Sequence, residues 1–245
     1  MITATWNCEA TVRDCLRSVA DQSWEFREHV VIDGASRDRT LERIGEYRDS
    51  LTVLVSEPDK GIYDALNKGI ARCSGDVVGF LHADDLYAHP GVLADVAHAF
   101  SDPEVCAVYG DLQYVKQADT SQVVRHWRSA PFKAKQLAKG WMPPHPTLYV
   151  RREWYERIGG FDTRYRIAAD YFSILQLFTQ PSFKAVYLPQ VMVKMRLGGE
   201  SNRSIKNIIR KSKEDFDALR RSGFGPAGST FALSSKNISK ISQFL

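Results

Sequence analysis

The chain has 245 residues, 44% hydrophobic and 25% charged side chains, and a formal net charge of +4. That composition excludes a disordered chain and suits one large α/β domain with a short appendage. No apolar run reaches about 18 residues and no segment reads as a signal peptide, so a membrane-spanning protein is not expected.

Acidic groups cluster in the first two thirds and basic ones near the C-terminus, which points to an anionic partner. Cys8, Cys15, Cys73 and Cys106 form no CxxC pair and lack zinc-site spacing. Reduced, packed thiols and a cytosolic setting are therefore expected.

Met1–Thr5 reads as a first strand and is short for one, suggesting that a few residues precede it. Val12, Leu16, Val19 and Ala20 then mark a helix face. His29–Asp33 reads as a strand, and Asp38 ahead of Leu41 and Ile44 can cap a helix. After a strand at Leu51–Val55, the residues Ile62, Ala65, Leu66 and Ile70 mark the next helix face. Val77–Leu81 is a strand. Pro90 fits a first helical turn ahead of Val92, Leu93, Val96 and Phe100. Val105–Tyr109 is again a strand. Short apolar runs alternating with amphipathic segments predict β-α units with parallel strands.

In open α/β sheets ligands sit beyond the carboxyl ends of the strands, and polar residues of this chain collect there. Thr5-Trp6-Asn7, Asp33-Gly34-Ala35-Ser36, Glu57-Pro58-Asp59-Lys60-Gly61 and Asp84-Asp85 each follow a strand. Singly, such residues are turns or caps; together they outline a rim. Two adjacent carboxylates repel unless a cation neutralises them, and hard oxygen ligands suit Mg2+ or Mn2+ bridging to a diphosphate. Neither GxGxxG nor GxxxxGK[ST] is present, which argues against dinucleotide and P-loop cradles.

Seven blocks together resemble the family-2 glycosyltransferases of GT-A fold, in their bacterial polysaccharide and O-antigen branch. They are Thr3-Ala-Thr-Trp-Asn7, Val30 to Thr40, Glu57 to Gly69, Gly75 to Asp85, Gly159-Gly-Phe-Asp162, Ala168-Ala-Asp170 and Leu197-Gly-Gly-Glu-Ser201. The resemblance implies an α/β fold with a Rossmann-like mixed sheet and flanking helices. It implies that Thr5 and Asn7 pack around the nucleotide and that Asp33 accepts from the imide N–H of a uracil-type base. Asp59 and Lys60 would flank nucleotide and sugar. Asp84 and Asp85 match the metal-binding motif, with His82 in place of its first acid; Asp85 would hold most of the metal and Asp84 would touch ribose or sugar. Trp141 would stack on a pyranose and His145 hydrogen-bond in the acceptor pocket. Asp170 matches the general base. Arg196 would help neutralise the diphosphate, under a loop of Gly198, Gly199 and Ser201.

The expectation is an inverting, metal-dependent transfer from a UDP-sugar to a saccharide or lipid-linked saccharide in surface polysaccharide assembly, without a nucleic-acid partner. A metal-dependent nucleotide-sugar phosphohydrolase or pyrophosphorylase, or a silent sugar-binding domain, are the alternatives. The domain is read as 1–202, followed by a basic appendage at 203–245. In the latter, Arg203, Lys206, Arg210, Lys211, Lys213, Arg220 and Arg221 surround a stripe of Ile205, Ile208, Ile209 and Phe216. A packed helix with a solvated face and a peripheral membrane helix, at the inner face of the cytoplasmic membrane, both fit. The tail from Phe231 to Leu245, with Lys236 and Lys240 beside Ile238, Ile241 and Phe244, would extend it or be disordered.

Overall fold

The computed structural model describes residues 1–198 and 205–241. Strands β1 (Ile2–Thr5), β2 (Val30–Asp33) and β3 (Val53–Ser56) form a parallel sheet in which Thr5, Asp33 and Ser56 stand side by side. All four β2 residues are buried, as expected of a parallel strand covered on both faces. Helices α1 (Val12–Ala20), α2 (Thr40–Gly45) and α3 (Ile62–Ile70) supply the crossovers.

A bridge between Ile2 and Phe80 joins β4 (Val77–Gly79) to this sheet in parallel. From β4 the second sheet runs in the order β4-β8-β6-β9-β5. Its members are β5 (Leu86–Tyr87), β6 (Ala107–Val115), β8 (Tyr149–Arg151) and β9 (Ala185–Arg196), with β7 (Val123–Trp127) beside β6. β8 is antiparallel to both neighbours, whereas β9 is parallel to β6, so the fold is mixed. Helices α4 (Val92–Ala99), α5 (Arg152–Ile158), α6 (Ala169–Phe178), α7 (Ile205–Arg221) and α8 (Pro226–Ile241) complete it.

The expected elements form, with shifts that have local causes. In α3 Ile62 is 42% exposed, and Tyr63 turns inward with Ala65, Leu66 and Gly69. A Cβ on Gly69 would come within 2.4 Å of Ile2, so the bare glycine lets α3 lie flat on β1. Pro90 lies ahead of Gly91, outside the first turn of α4.

The C-terminal stripe differs more. Ile208 and Ile209 are 51% and 52% exposed, and α7 instead buries Asp215, Ala218 and Leu219. The tail is helical through Ile241 rather than disordered, and Lys236 of α8 is buried. Its Nζ donates to Asp215 Oδ2 at 2.9 Å and lies 3.3 Å from the centre of the Tyr171 ring. The ion pair and ring contact make that burial tolerable. Arg203, Phe244 and Leu245 lie outside the described residues.

Candidate active site

The aligned ends of β1, β2 and β3 meet at Asp33, which is fully buried. Thr5 Oγ1 and Ser36 Oγ donate to its Oδ1 at 3.0 and 2.5 Å, and the Ser36 amide and Ser56 Oγ donate to its Oδ2 at 2.9 and 2.7 Å. A carboxylate offers about four lone-pair sites, and all four are taken. The expectation that Asp33 reads a base is therefore corrected: Asp33, with Thr5, ties three strand ends together. Asn7, at φ +46°, accepts from the Arg37 amide at 2.8 Å and donates its own N–H to Ser36 Oγ at 2.9 Å. These bonds stitch the β1 and β2 loops. Asp38 accepts from the Thr40 and Glu9 amides one residue ahead of the N-cap, Arg39, and so ties the β1 loop to the start of α2 rather than serving as the N-cap itself.

Beside this knot Gly34 leaves a gap that Asp59 fills. A Cβ at Gly34 would come within 2.4 Å of Asp59 Oδ2 and 3.4 Å of the Trp6 ring. The Gly61 amide donates to Asp59 Oδ1 at 2.8 Å, and the Trp6 ring is 68% exposed. Lys60 is exposed next to them. A carboxylate edge and an open aromatic face thus adjoin on the rim.

After β4, the Asp85 amide donates to the His82 carbonyl at 2.9 Å and closes a turn carrying both acids. Asp84 is half-buried. Asp85 is 1% exposed; the Arg196 amide donates to its Oδ1 at 3.2 Å, while its Oδ2 is buried without a partner. Burial and then the Asp84 charge push the Asp85 carboxyl well above the usual range. Arg196 proves to be a brace rather than a phosphate ligand. Its guanidinium donates to Asp14 Oδ2 and to the carbonyls of Asp84 and Gln117 at 2.5, 2.9 and 3.2 Å, and only 4% of the residue is exposed. Gly198 follows at φ +106°; Gly199 and Ser201 lie outside the described residues.

A divalent cation fits this turn. Among the described residues no cluster of three or more His, Cys, Asp or Glu could hold a metal. Mg2+ and Mn2+, however, are often held by one or two carboxylates with water and substrate phosphates supplying the rest, and the orphaned Asp85 oxygen beside Asp84 is such a donor set.

Across the rim, Asp170 occupies the first turn of α6. Tyr63 Oη lies 3.1 Å from its Oδ1 and 2.6 Å from the Ile167 carbonyl, so the hydroxyl donates between two acceptors. Asp170 does not cap its own helix. Glu214 of α7 accepts from the amides of Arg166, Ile167 and Ala168 at 3.2, 2.8 and 3.0 Å. His145 is buried with both ring nitrogens unpartnered, its ring 5.8 Å from those of Phe80 and His82. Burial lowers its pKa to about 4, against the opposing charge of Asp170, so it is neutral near pH 7. Trp141 is half-buried, with Tyr109, Phe132 and Phe178 rings at 5.2 to 5.7 Å.

Reading the chain alone missed Tyr63, Trp6, Ser36, Ser56 and Glu214. Trp6, Ser36 and Tyr63 stood inside the quoted blocks and gave a signal. Glu214 gave none, because its partners lie 46 to 48 residues away.

A parallel sheet with polar strand ends and an acidic turn, joined to a mixed sheet facing a helix-start carboxylate, is the GT-A architecture of nucleotide-sugar transferases. A structure of S. aureus TarS in complex with UDP-GlcNAc shares this fold at a TM-score of 0.70 and 17% identity, over 98% of this chain and 72% of that one. The mannosyltransferase PcManGT from Pyrobaculum calidifontis, in complex with GDP-Man and Mn2+, gives 0.68 and 21% over 96% and 67%. The chain belongs to glycosyl transferase family 2, whose model matches residues 1–165. A PGL/p-HBAD biosynthesis glycosyltransferase of Mycobacterium bovis is 30% identical over 82% of this chain and 78% of its own. The O-antigen biosynthesis protein RfbC of Myxococcus xanthus is 35% identical over 62% of this chain, which spans only 12% of that protein. The protein is thus a glycosyltransferase, which sets aside the phosphohydrolase and binding-only alternatives. No helix among the described residues is long and apolar enough to cross a membrane.

Proposed function

We propose that this enzyme transfers a sugar with inversion from a UDP-sugar to a saccharide acceptor, free or lipid-linked, in the assembly of a cell-surface glycan. The observation that carries the reading is Asp85, a buried carboxylate with an unpartnered oxygen beside a second acid at a strand end of a family-2 frame. Asp85 and Asp84 would hold Mg2+ or Mn2+ against the donor diphosphate. The metal, when bound, offsets the charge that grows on the departing diphosphate. Asp59 and Trp6 take over base recognition from Asp33: the Asp59 carboxylate accepts an imide N–H while Trp6 covers the ring. Thr5 and Asn7 shape the loop beneath them, and exposed Lys60 offers charge to phosphate.

Asp170 removes the proton of the acceptor hydroxyl as that oxygen bonds to the anomeric carbon and the carbon–oxygen bond to UDP breaks. Neutral His145 lines the approach between the acidic turn and this base. The domain at 1–202 carries the chemistry. The appendage at 203–245 meets an anionic membrane surface from the cytoplasmic side through exposed Ile208 and Ile209 among Lys206, Arg210 and Lys213.

Calorimetry of UDP and GDP with Mn2+ or with excess chelator tests the donor half, and NMR of fresh product tests the stereochemistry. UDP should bind only with metal and more tightly than GDP, and Asp170→Asn should keep that binding while turnover falls about 10²- to 10⁴-fold. Metal-independent UDP binding, or a product with retained configuration, would contradict the proposal.

A further inference from the structure

We infer that Tyr63, on a helix fixed at both ends, is a positioning residue for the Asp170 carboxylate. This rests on the reading of Asp170 as the base. Tyr63 stands two residues after Gly61, whose amide is fixed by Asp59. The start of α3 is pinned again where the Lys60 amide donates to Asp64 Oδ2 at 3.1 Å. The helical turn that bears Tyr63 is therefore held in place at its start.

The far side of α3 is equally fixed. Asn67, one turn on, donates through Nδ2 to the Phe161 carbonyl and accepts from the Phe161 amide through Oδ1, both at 2.8 Å. A Cβ on Gly160, at φ +74°, would come within 2.6 Å of Asn67 Oδ1, so glycine is what admits this clamp. The Tyr63 ring packs on Phe161 at 5.5 Å. With Glu214 holding the amides that lead into α6, Asp170 has no capping duty. The Tyr63 hydroxyl on Oδ1 leaves Oδ2 as the oxygen without a protein partner among the described residues, and so the one that meets the acceptor proton. An unheld carboxylate would rotate freely, and misplacement of a reacting group by about 1 Å can cost roughly 10²-fold in rate.

The experiment uses the full chain with Mn2+ and follows UDP release to water from UDP-GlcNAc, UDP-glucose and UDP-galactose. Tyr63→Phe keeps the ring and its packing. It should lower kcat about 10- to 100-fold, while KM and the calorimetric Kd for UDP stay within about twofold of wild type. The decisive arm is the double variant: in an Asp170→Asn background, Tyr63→Phe should slow release no further, because a residue acting through another loses its effect when that other is gone. If Tyr63→Phe fails to fold, 4-fluorophenylalanine at position 63 fills the hydroxyl's space without a donor and should reproduce the loss. Unchanged kcat, or the same fractional loss in both backgrounds, overturns the positioning role. An Asp170→Asn variant as fast as wild type, or no release by wild type from any of the three donors, sinks instead the reading of the site, and the inference with it.

Discussion

A carboxylate that is 1% exposed, with one oxygen unpartnered and a second acid next to it, is a liability in the metal-free protein. Because the folded state raises the Asp85 pKa, its contribution to stability is fully present below about pH 4 and is lost as the pH climbs through the raised value. Asp85→Asn removes the charge and keeps an acceptor for the Arg196 amide. It should therefore stabilise the metal-free protein by about 1 kcal/mol or more, or roughly 2 to 4 °C per kcal/mol for a chain of this size. The gain should be larger in melts at pH 8 than at pH 5, and Mn2+-dependent UDP binding should disappear. A variant less stable than wild type at both pH values would show that the charge is not the cost. Asp33 is the opposite case: equally buried, it has four donors and no unmet demand.

Helix α6 owes its start to a neighbour. Glu214→Ala strips three amides of their acceptor and should cost about 1 to 3 kcal/mol in urea unfolding. Turnover should fall as the Arg166–Ala168 segment loosens, while UDP affinity is held, because the donor rim is built from other elements. Equal losses in affinity and turnover would mean that Glu214 supports the whole domain. The same element shows what a sequence can and cannot reveal. Apolar spacing located α1, α3 and α4, and the strand ends identified the rim, since both depend on local periodicity and turn chemistry. Partners far along the chain left no such trace. Arg196 looked like a phosphate ligand because its bonds to Asp14, Asp84 and Gln117 arise only in the fold. Asp33 looked like a base reader because Ser56 comes from another strand. Ile62 is the more hydrophobic of two neighbours, yet Tyr63 turns inward, because its ring meets Phe161 and its hydroxyl the Ile167 carbonyl and Asp170, all far along the chain.

At the scale of the molecule, α8 packs on α6 and α7 through Lys236, which meets the Tyr171 ring and Asp215. Lys236 and Asp215 are 6% and 4% exposed at their side chains, and Asp215 Oδ1 has no partner. Lys236→Met should destabilise the protein by about 3 to 5 kcal/mol by leaving that carboxylate buried and alone, whereas combining it with Asp215→Leu should recover most of the loss. Denaturant midpoints of the single and double variants decide the matter; additive losses would mean that the two residues act separately. The cover over Tyr171 also has a temporal side. Chains leave the ribosome N-terminus first, and units fold as they emerge. β5 pairs with β9, and Arg196 braces the turn that carries Asp84 and Asp85, so that turn is completed only once β9 has emerged. Helix α8 follows β9 along the chain, so the acidic turn can be braced before Lys236 is seated over Tyr171.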